Sequence, residues 1–128
     1  DVVCNVPLHG RRKRARGFDQ AARIAQSYSK LTHKPHFTLL KRTKHLSAQS
    51  GIKNKEARLK RLDGIFTINQ KELKSYLTYL ENSQLKIKNQ TALLIDDVYT
   101  TGATLDQAKK ALGEIGFKKI ICTTIAHG

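Results

Sequence analysis

An apolar run, Ala92-Leu93-Leu94-Ile95, ends at two adjacent carboxylates, Asp96 and Asp97, and this junction limits the folds open to the chain. The run has no polar face, so it reads as a strand buried on both sides, as in a parallel sheet covered by helices. After the acidic pair come Val98, Tyr99, Thr100, Thr101, Gly102 and Ala103, and then Leu105, Ala108, Leu112 and Ile115 recur at helical spacing. The sequence therefore predicts a strand, a tight loop and a helix. A loop rich in Thr and Gly at a helix N-terminus presents unpaired N–H groups and hydroxyls to an anion, and the helix dipole adds to the attraction. Gly102 lets the backbone approach a phosphate closely. The carboxylates at the strand's end suit a polyol or a hard cation rather than the phosphate itself. A ribose 5-phosphate carries both features, a phosphate at one end and vicinal hydroxyls at the other.

The contiguous run from Leu94 to Thr104 resembles the phosphoribosyl pyrophosphate (PRPP) binding motif of type I phosphoribosyltransferases. The resemblance implies an α/β fold of that type, a mostly parallel central sheet flanked by helices. It implies that Asp96 and Asp97 are the catalytic pair, meeting the ribose hydroxyls and supporting Mg²⁺ directly or through water. Thr100, Thr101, Gly102, Ala103 and Thr104 would hold the 5-phosphate. A receiver-like phosphoacceptor fold using Asp96 or Asp97 would not call for the Thr-Thr-Gly-Ala-Thr loop that follows.

The rest of the chain fits around this motif. Residues 1–8 read as a first strand that Pro7 punctuates, and Phe18, Ala21, Ala22, Ala25, Tyr28 and Leu31 mark a helix over residues 18–31. Between them lies a basic loop with Arg11, Arg12, Lys13, Arg14 and Arg16. Open α/β sheets bind ligands beyond the carboxyl ends of their strands, so this loop is expected on the same rim as the acidic pair. Phe37 to Leu40 reads as a second strand. Residues 41–63 then form a long polar segment with Lys41, Arg42, Lys44, Lys53, Lys55, Arg58, Lys60 and Arg61. Gly64 to Ile68 is a third strand, and Glu72 to Asn82 a helix in which Tyr76 and Tyr79 read as packing or wet-surface residues. Ile120 to Ile125 is a last strand. His127, at its carboxyl end, reads as incidental.

Val6-Pro7-Leu8-His9 and Arg16-Gly17-Phe18-Asp19-Gln20-Ala21 resemble the opening of the ComF family, which comprises competence proteins and their GntX-like relatives. Lys41-Arg42-Thr43-Lys44, Gln49 and Arg58 match that family's spacing of a basic cluster, a glutamine and a later arginine. Asp19 stands where the family commonly has asparagine, although an aspartate can still cap the helix. Arg61 also replaces a frequent asparagine. This resemblance implies a flexible active-site loop in the 41–63 segment. Arg11, Arg12, Arg14, Arg16, Arg42 and Lys44 are the candidates for the pyrophosphate.

Composition limits the function classes. The chain has 128 residues, enough for one domain, and a net charge of +14. That charge implies a polyanionic partner, because small anionic substrates do not require so many cations. Lys13, Lys53, Lys55, Arg58, Lys60 and Arg61 are the candidates for nucleic acid. The two cysteines, Cys4 and Cys122, lie far apart in apparent strands and read as buried thiols in a reducing cytoplasm. No apolar run is long enough to insert into a membrane. The chain lacks methionine and starts within a strand, so a segment is expected to precede it. The family's N-terminal cysteine pairs, which would form a zinc ribbon, either lie there or are lacking in this branch, and zinc is expected only with that ribbon. Together these readings describe a ComF-like protein that binds PRPP with Mg²⁺ and single-stranded DNA, acting in natural transformation beside competence-machinery proteins. The alternative is an active transferase moving ribose 5-phosphate from PRPP to an acceptor.

Overall fold

The computed structural model describes residues 1–7, 19–42, 64–99 and 103–127; of residues 97–99, 103 and 125–127 only the backbone enters the description. The elements run β1 (Val2–Asn5), α1 (Gln20–Thr32), β2 (Leu40–Arg42), β3 (Phe66–Ile68), α2 (Gln70–Asn82), a 3-10 turn (Ile87–Asn89), β4 (Thr91–Tyr99), α3 (Ala103–Gly113) and β5 (Lys119–His127). Strands β1, β4 and β5 form a parallel sheet with β4 in the centre. Val2 to Asn5 stand opposite Ala92 to Ile95, and Thr91 stands opposite Lys119. A parallel bridge between Val3 and His36 adds the chain around residues 35–37 to the outer side of β1. The Val3 N–H donates to the Pro35 carbonyl at 2.8 Å, and the Phe37 N–H to the Val3 carbonyl at 3.1 Å.

Alternation along the strands divides the core between two faces. Val2, Cys4, Ala92 and Leu94 pack with Tyr76 and Leu80 of α2 and with Ala108 and Leu112 of α3. Val3 and Ile95 pack on Ala25 of α1, with Ile24 and Leu93 alongside. The central parallel sheet with helices on both faces is the expected architecture. The thiols are separated by a strand, since Cys4 stands opposite Leu94 and Leu94 opposite Cys122. Two strand spacings amount to roughly 9–10 Å, beyond the reach of a disulfide. Both thiols are free, and burial pushes Cys4 up to about 12.

Local chemistry accounts for most element ends. The Asp19 side chain caps α1 by accepting the Ala22 N–H at 3.1 Å. Helix α2 begins earlier than its apolar spacing predicts, because Asn69 caps it and accepts the Glu72 N–H at 3.3 Å. Asn69 and Glu72 have the spacing of a capping box, yet they do not close one. The Asn69 N–H donates instead to the Leu39 carbonyl at 2.8 Å, and the Glu72 carboxylate accepts the Thr38 N–H at 3.4 Å. Gly116, at φ 106°, makes the turn between α3 and β5 that a side chain would strain.

Two sequence expectations are corrected. The second strand is Leu40–Arg42 rather than Phe37 to Leu40, so it enters the polar, basic segment 41–63. Its backbone finds an antiparallel partner in β3, with Leu40 opposite Ile68 and Arg42 opposite Phe66. The motif strand does not stop at the carboxylates but continues to Tyr99. The ladder requires only backbone groups, and β5 continues beside it, with Asp96 opposite Thr124 and Tyr99 opposite His127.

A buried polar brace fastens the edge of the sheet. Asn5 is 1% exposed, and its Oδ1 lies 2.8 Å from His36 Nε2 and accepts the Thr38 hydroxyl at 3.4 Å. An acceptor at Oδ1 requires His36 to carry its proton on Nε2. Burial lowers the His36 pKa, against the opposing pull of Glu72 and Asp19. An unfolded chain then takes up the imidazole proton before the folded one does, so stability should fall as pH drops below about 6.5. Denaturant unfolding of wild type and His36→Gln from about pH 7.5 to about pH 5 checks this. The wild type should lose stability relative to the variant; equal pH dependence in both proteins would contradict the brace.

Candidate functional site

The site is built at the carboxyl ends of the parallel strands. Asp96 is half-buried on β4, one residue beyond Ile95, which pairs with Asn5. The Val6 N–H donates to the Ile95 carbonyl at 2.9 Å and carries the β1–β4 pairing past the end of β1. The chain that leaves Pro7 toward the first basic segment therefore starts beside the acidic pair. On the other side, β5 places the Thr124 backbone opposite Asp96.

Helix α3 begins at Ala103, leaving residues 100–102 between the end of β4 and the helix. Its N-terminal N–H groups thus lie on the rim where β4 ends, the arrangement that favours an anion. Thr104 is half-buried in the first turn, while Leu105, Ala108 and Leu112 face the core and fix the helix on the sheet. Strands β2 and β3 pack against α3. Because Arg42 pairs with Phe66, the basic segment 43–63 leaves and rejoins the described fold at one place. Arg42 itself lies over the Phe66 ring, 5.7 Å from its centroid.

Of the residues singled out in the sequence, the structure positions Asp96, Arg42 and Thr104 with their side chains, and Asp97 and Ala103 by backbone. Arg11, Arg12, Lys13, Arg14, Arg16, Lys44, Lys53, Lys55, Arg58, Lys60, Arg61, Thr100, Thr101 and Gly102 lie outside the described residues. Sequence reasoning overlooked the brace of Asn5, His36, Thr38 and Glu72 behind the rim. Its one signal was a lone asparagine in the otherwise apolar start Val2-Val3-Cys4-Asn5-Val6.

Asp96 offers a hard, partly solvated oxygen, the type of ligand that Mg²⁺ would accept. Among the described residues no group of three or more His, Cys, Asp or Glu side chains stands ready to hold a metal. Also among the described residues, no helix is long and apolar enough to cross a membrane.

Comparison with known proteins agrees with this geometry. Residues 21–128 match the phosphoribosyl transferase domain family. The chain is similar to Competence protein F of Haemophilus influenzae, at 30% identity over 121 residues, 94% of this chain and 47% of that protein. It thus spans about half the length of that curated relative. With a parallel α/β core whose central strand carries an acidic pair toward the end from which a helix begins, and with a match over most of its length, the chain belongs to the phosphoribosyl transferase domain family.

Proposed function

We propose that this chain is a PRPP-binding domain of a competence protein that also binds single-stranded DNA and acts in DNA uptake. The observation that carries the reading is the rim itself. The central strand delivers Asp96 and Asp97 to the same end of the sheet from which the first basic segment departs and at which α3 begins. PRPP has matching parts: a 5-phosphate for residues 100–104, ribose hydroxyls for the carboxylates, and a pyrophosphate for Arg11, Arg12, Arg14, Arg16, Arg42 and Lys44. Asp96 and Asp97 would hold Mg²⁺ directly or through water, and the bound ion would neutralise pyrophosphate charge. The likeness to Competence protein F supports a place in competence.

Charge ranks DNA handling above free-standing catalysis. Residues 11–16 and 41–61 hold thirteen of the 24 Lys and Arg residues, more than PRPP requires. The second reading is an active transferase, favoured by the family to which the chain belongs. Incubation with PRPP, Mg²⁺ and a panel of bases, amines and nucleic acids, scored for pyrophosphate release, separates the two. Release that depends on an acceptor would put transfer first.

PRPP binding by calorimetry should weaken at least tenfold in Asp96→Asn/Asp97→Asn, about 1.4 kcal/mol or more, as hydroxyl acceptors and cation support are lost. Gly102→Val should also damage PRPP binding while leaving polyanion binding nearly intact. Unchanged PRPP affinity in both folded variants would remove the motif from the site. For DNA, affinity should fall steeply with salt, each neutralised phosphate adding about −0.7 to the log–log slope. Lys53→Ala/Lys55→Ala/Lys60→Ala should flatten that slope by up to roughly two units. Salt-insensitive binding, or none at low salt, would overturn the DNA reading and leave the transferase.

A further inference from the structure

The remaining eleven basic residues are not spread evenly, and four of them meet at the end of the sheet opposite the acidic pair. Lys119 opens β5 and Lys118 precedes it, while Lys86 caps and Lys88 lies within the 3-10 turn that leads into β4. A hydrogen bond joins the two segments, the Lys118 N–H donating to the Gln90 carbonyl at 3.0 Å, and within the first segment Gln90 Nε2 donates to the Lys86 carbonyl at 3.3 Å. Lys119 stands opposite Thr91. All four lysines are exposed. The row continues across the sheet, because Asp1 approaches Gln90 with its amino group, accepts the Thr91 N–H and lies 3.9 Å from Lys34.

Two features set this patch apart from ordinary surface lysines. No acid occurs in residues 82–95 or 115–128, so the joined segments carry one sign of charge. Among the described residues, the acids at this end are Asp1, which faces Lys34, and Glu81 and Glu114 at the ends of α2 and α3. Lys86, Lys88, Lys118 and Lys119 all lie outside the α-helices, so complementing a helix dipole does not account for them. The second feature is a half-exposed aromatic ring. In the last turn of α2, Tyr79 is 37% exposed and rests on Tyr76 in a stacked geometry and on Phe37 at 6.0 Å. Phe117, next to Lys118, also packs on Tyr76, with ring centroids 5.9 Å apart. Leu85, immediately before Lys86, is also exposed.

We propose that Lys86, Lys88, Lys118 and Lys119, with Tyr79 as a stacking ring, form a second contact face for a single-stranded nucleic acid. It lies at the opposite end of β4 from Asp96, about 17 Å away along the strand. Cations that track a phosphate backbone beside a ring open to an unpaired base are the elements of single-strand binding. A duplex, whose bases are stacked inside, cannot use the ring. The inference rests on the single-stranded DNA reading above and adds a face that leaves the PRPP rim free.

Fluorescence anisotropy with oligo-dT across a salt series tests it. Lys86→Ala/Lys88→Ala/Lys118→Ala/Lys119→Ala should flatten the log–log salt slope by up to roughly 2.8 units while PRPP binding is unchanged. Tyr79→Leu should weaken oligo-dT binding by roughly five- to 150-fold, and Tyr79→Phe, which keeps the ring, should retain it. Thermal melting of each variant confirms that it is folded. A wild-type slope in the quadruple variant, with the slope flattened in Lys53→Ala/Lys55→Ala/Lys60→Ala, would overturn this face and leave the DNA reading standing. Absence of oligo-dT binding by the wild type would overturn both. Loss of binding to phosphatidylcholine–phosphatidylserine vesicles with oligo-dT binding unchanged would make the patch a membrane contact instead.

Discussion

The position of β4, hydrogen-bonded to a parallel neighbour on each side, decides where every other functional element can lie. Parallel strands point their carboxyl ends one way, so the connections leaving β1 and β4 emerge on a common rim. Burial holds the register. Leu94 is 0% and Ile95 2% exposed on opposite faces, and a slip of one residue would exchange those faces and move the carboxylates with them. The acidic pair is thus placed by the apolar residues that precede it.

The proposed function divides the labour between the two ends of the sheet by charge. On the proposed reading, the carboxylates and the helix N-terminus of the rim serve the ribose hydroxyls and the 5-phosphate of PRPP, and the basic segments its pyrophosphate. A protein with only that task would have no use for a net charge of +14. The excess lies in the connections after β1 and β2 and in the segments that open β4 and β5. Long-range attraction of a polyanion to both ends is the physical consequence.

Helix α3 was legible because Leu105, Ala108, Leu112 and Ile115 keep one period, and the Asp19 cap of α1 was legible from residue type. The start of α2 was readable from Asn69 and Glu72 but was masked by weaker apolar spacing. Strand β2 was displaced because Lys41 and Arg42 look like loop residues, and only the distant partner Phe66–Ile68 makes them a strand. Likewise β4 outran its apolar run because β5 supplies a backbone ladder that no local pattern announces. Tyr76 and Tyr79 divide as packing and surface residues, the first 0% and the second 37% exposed. The Asn5–His36 brace joins residues thirty-one positions apart, a distance at which periodicity carries no information.

Hydrogen–deuterium exchange with and without PRPP and Mg²⁺, read peptide by peptide, tests the placement of the ligand most directly. At a PRPP concentration that saturates binding, peptides covering residues 96–106 and 8–18 should gain protection, while those covering 115–121 should exchange as before. Unchanged exchange over residues 96–106, or protection confined to the opposite end of the sheet, would contradict the assignment of the rim.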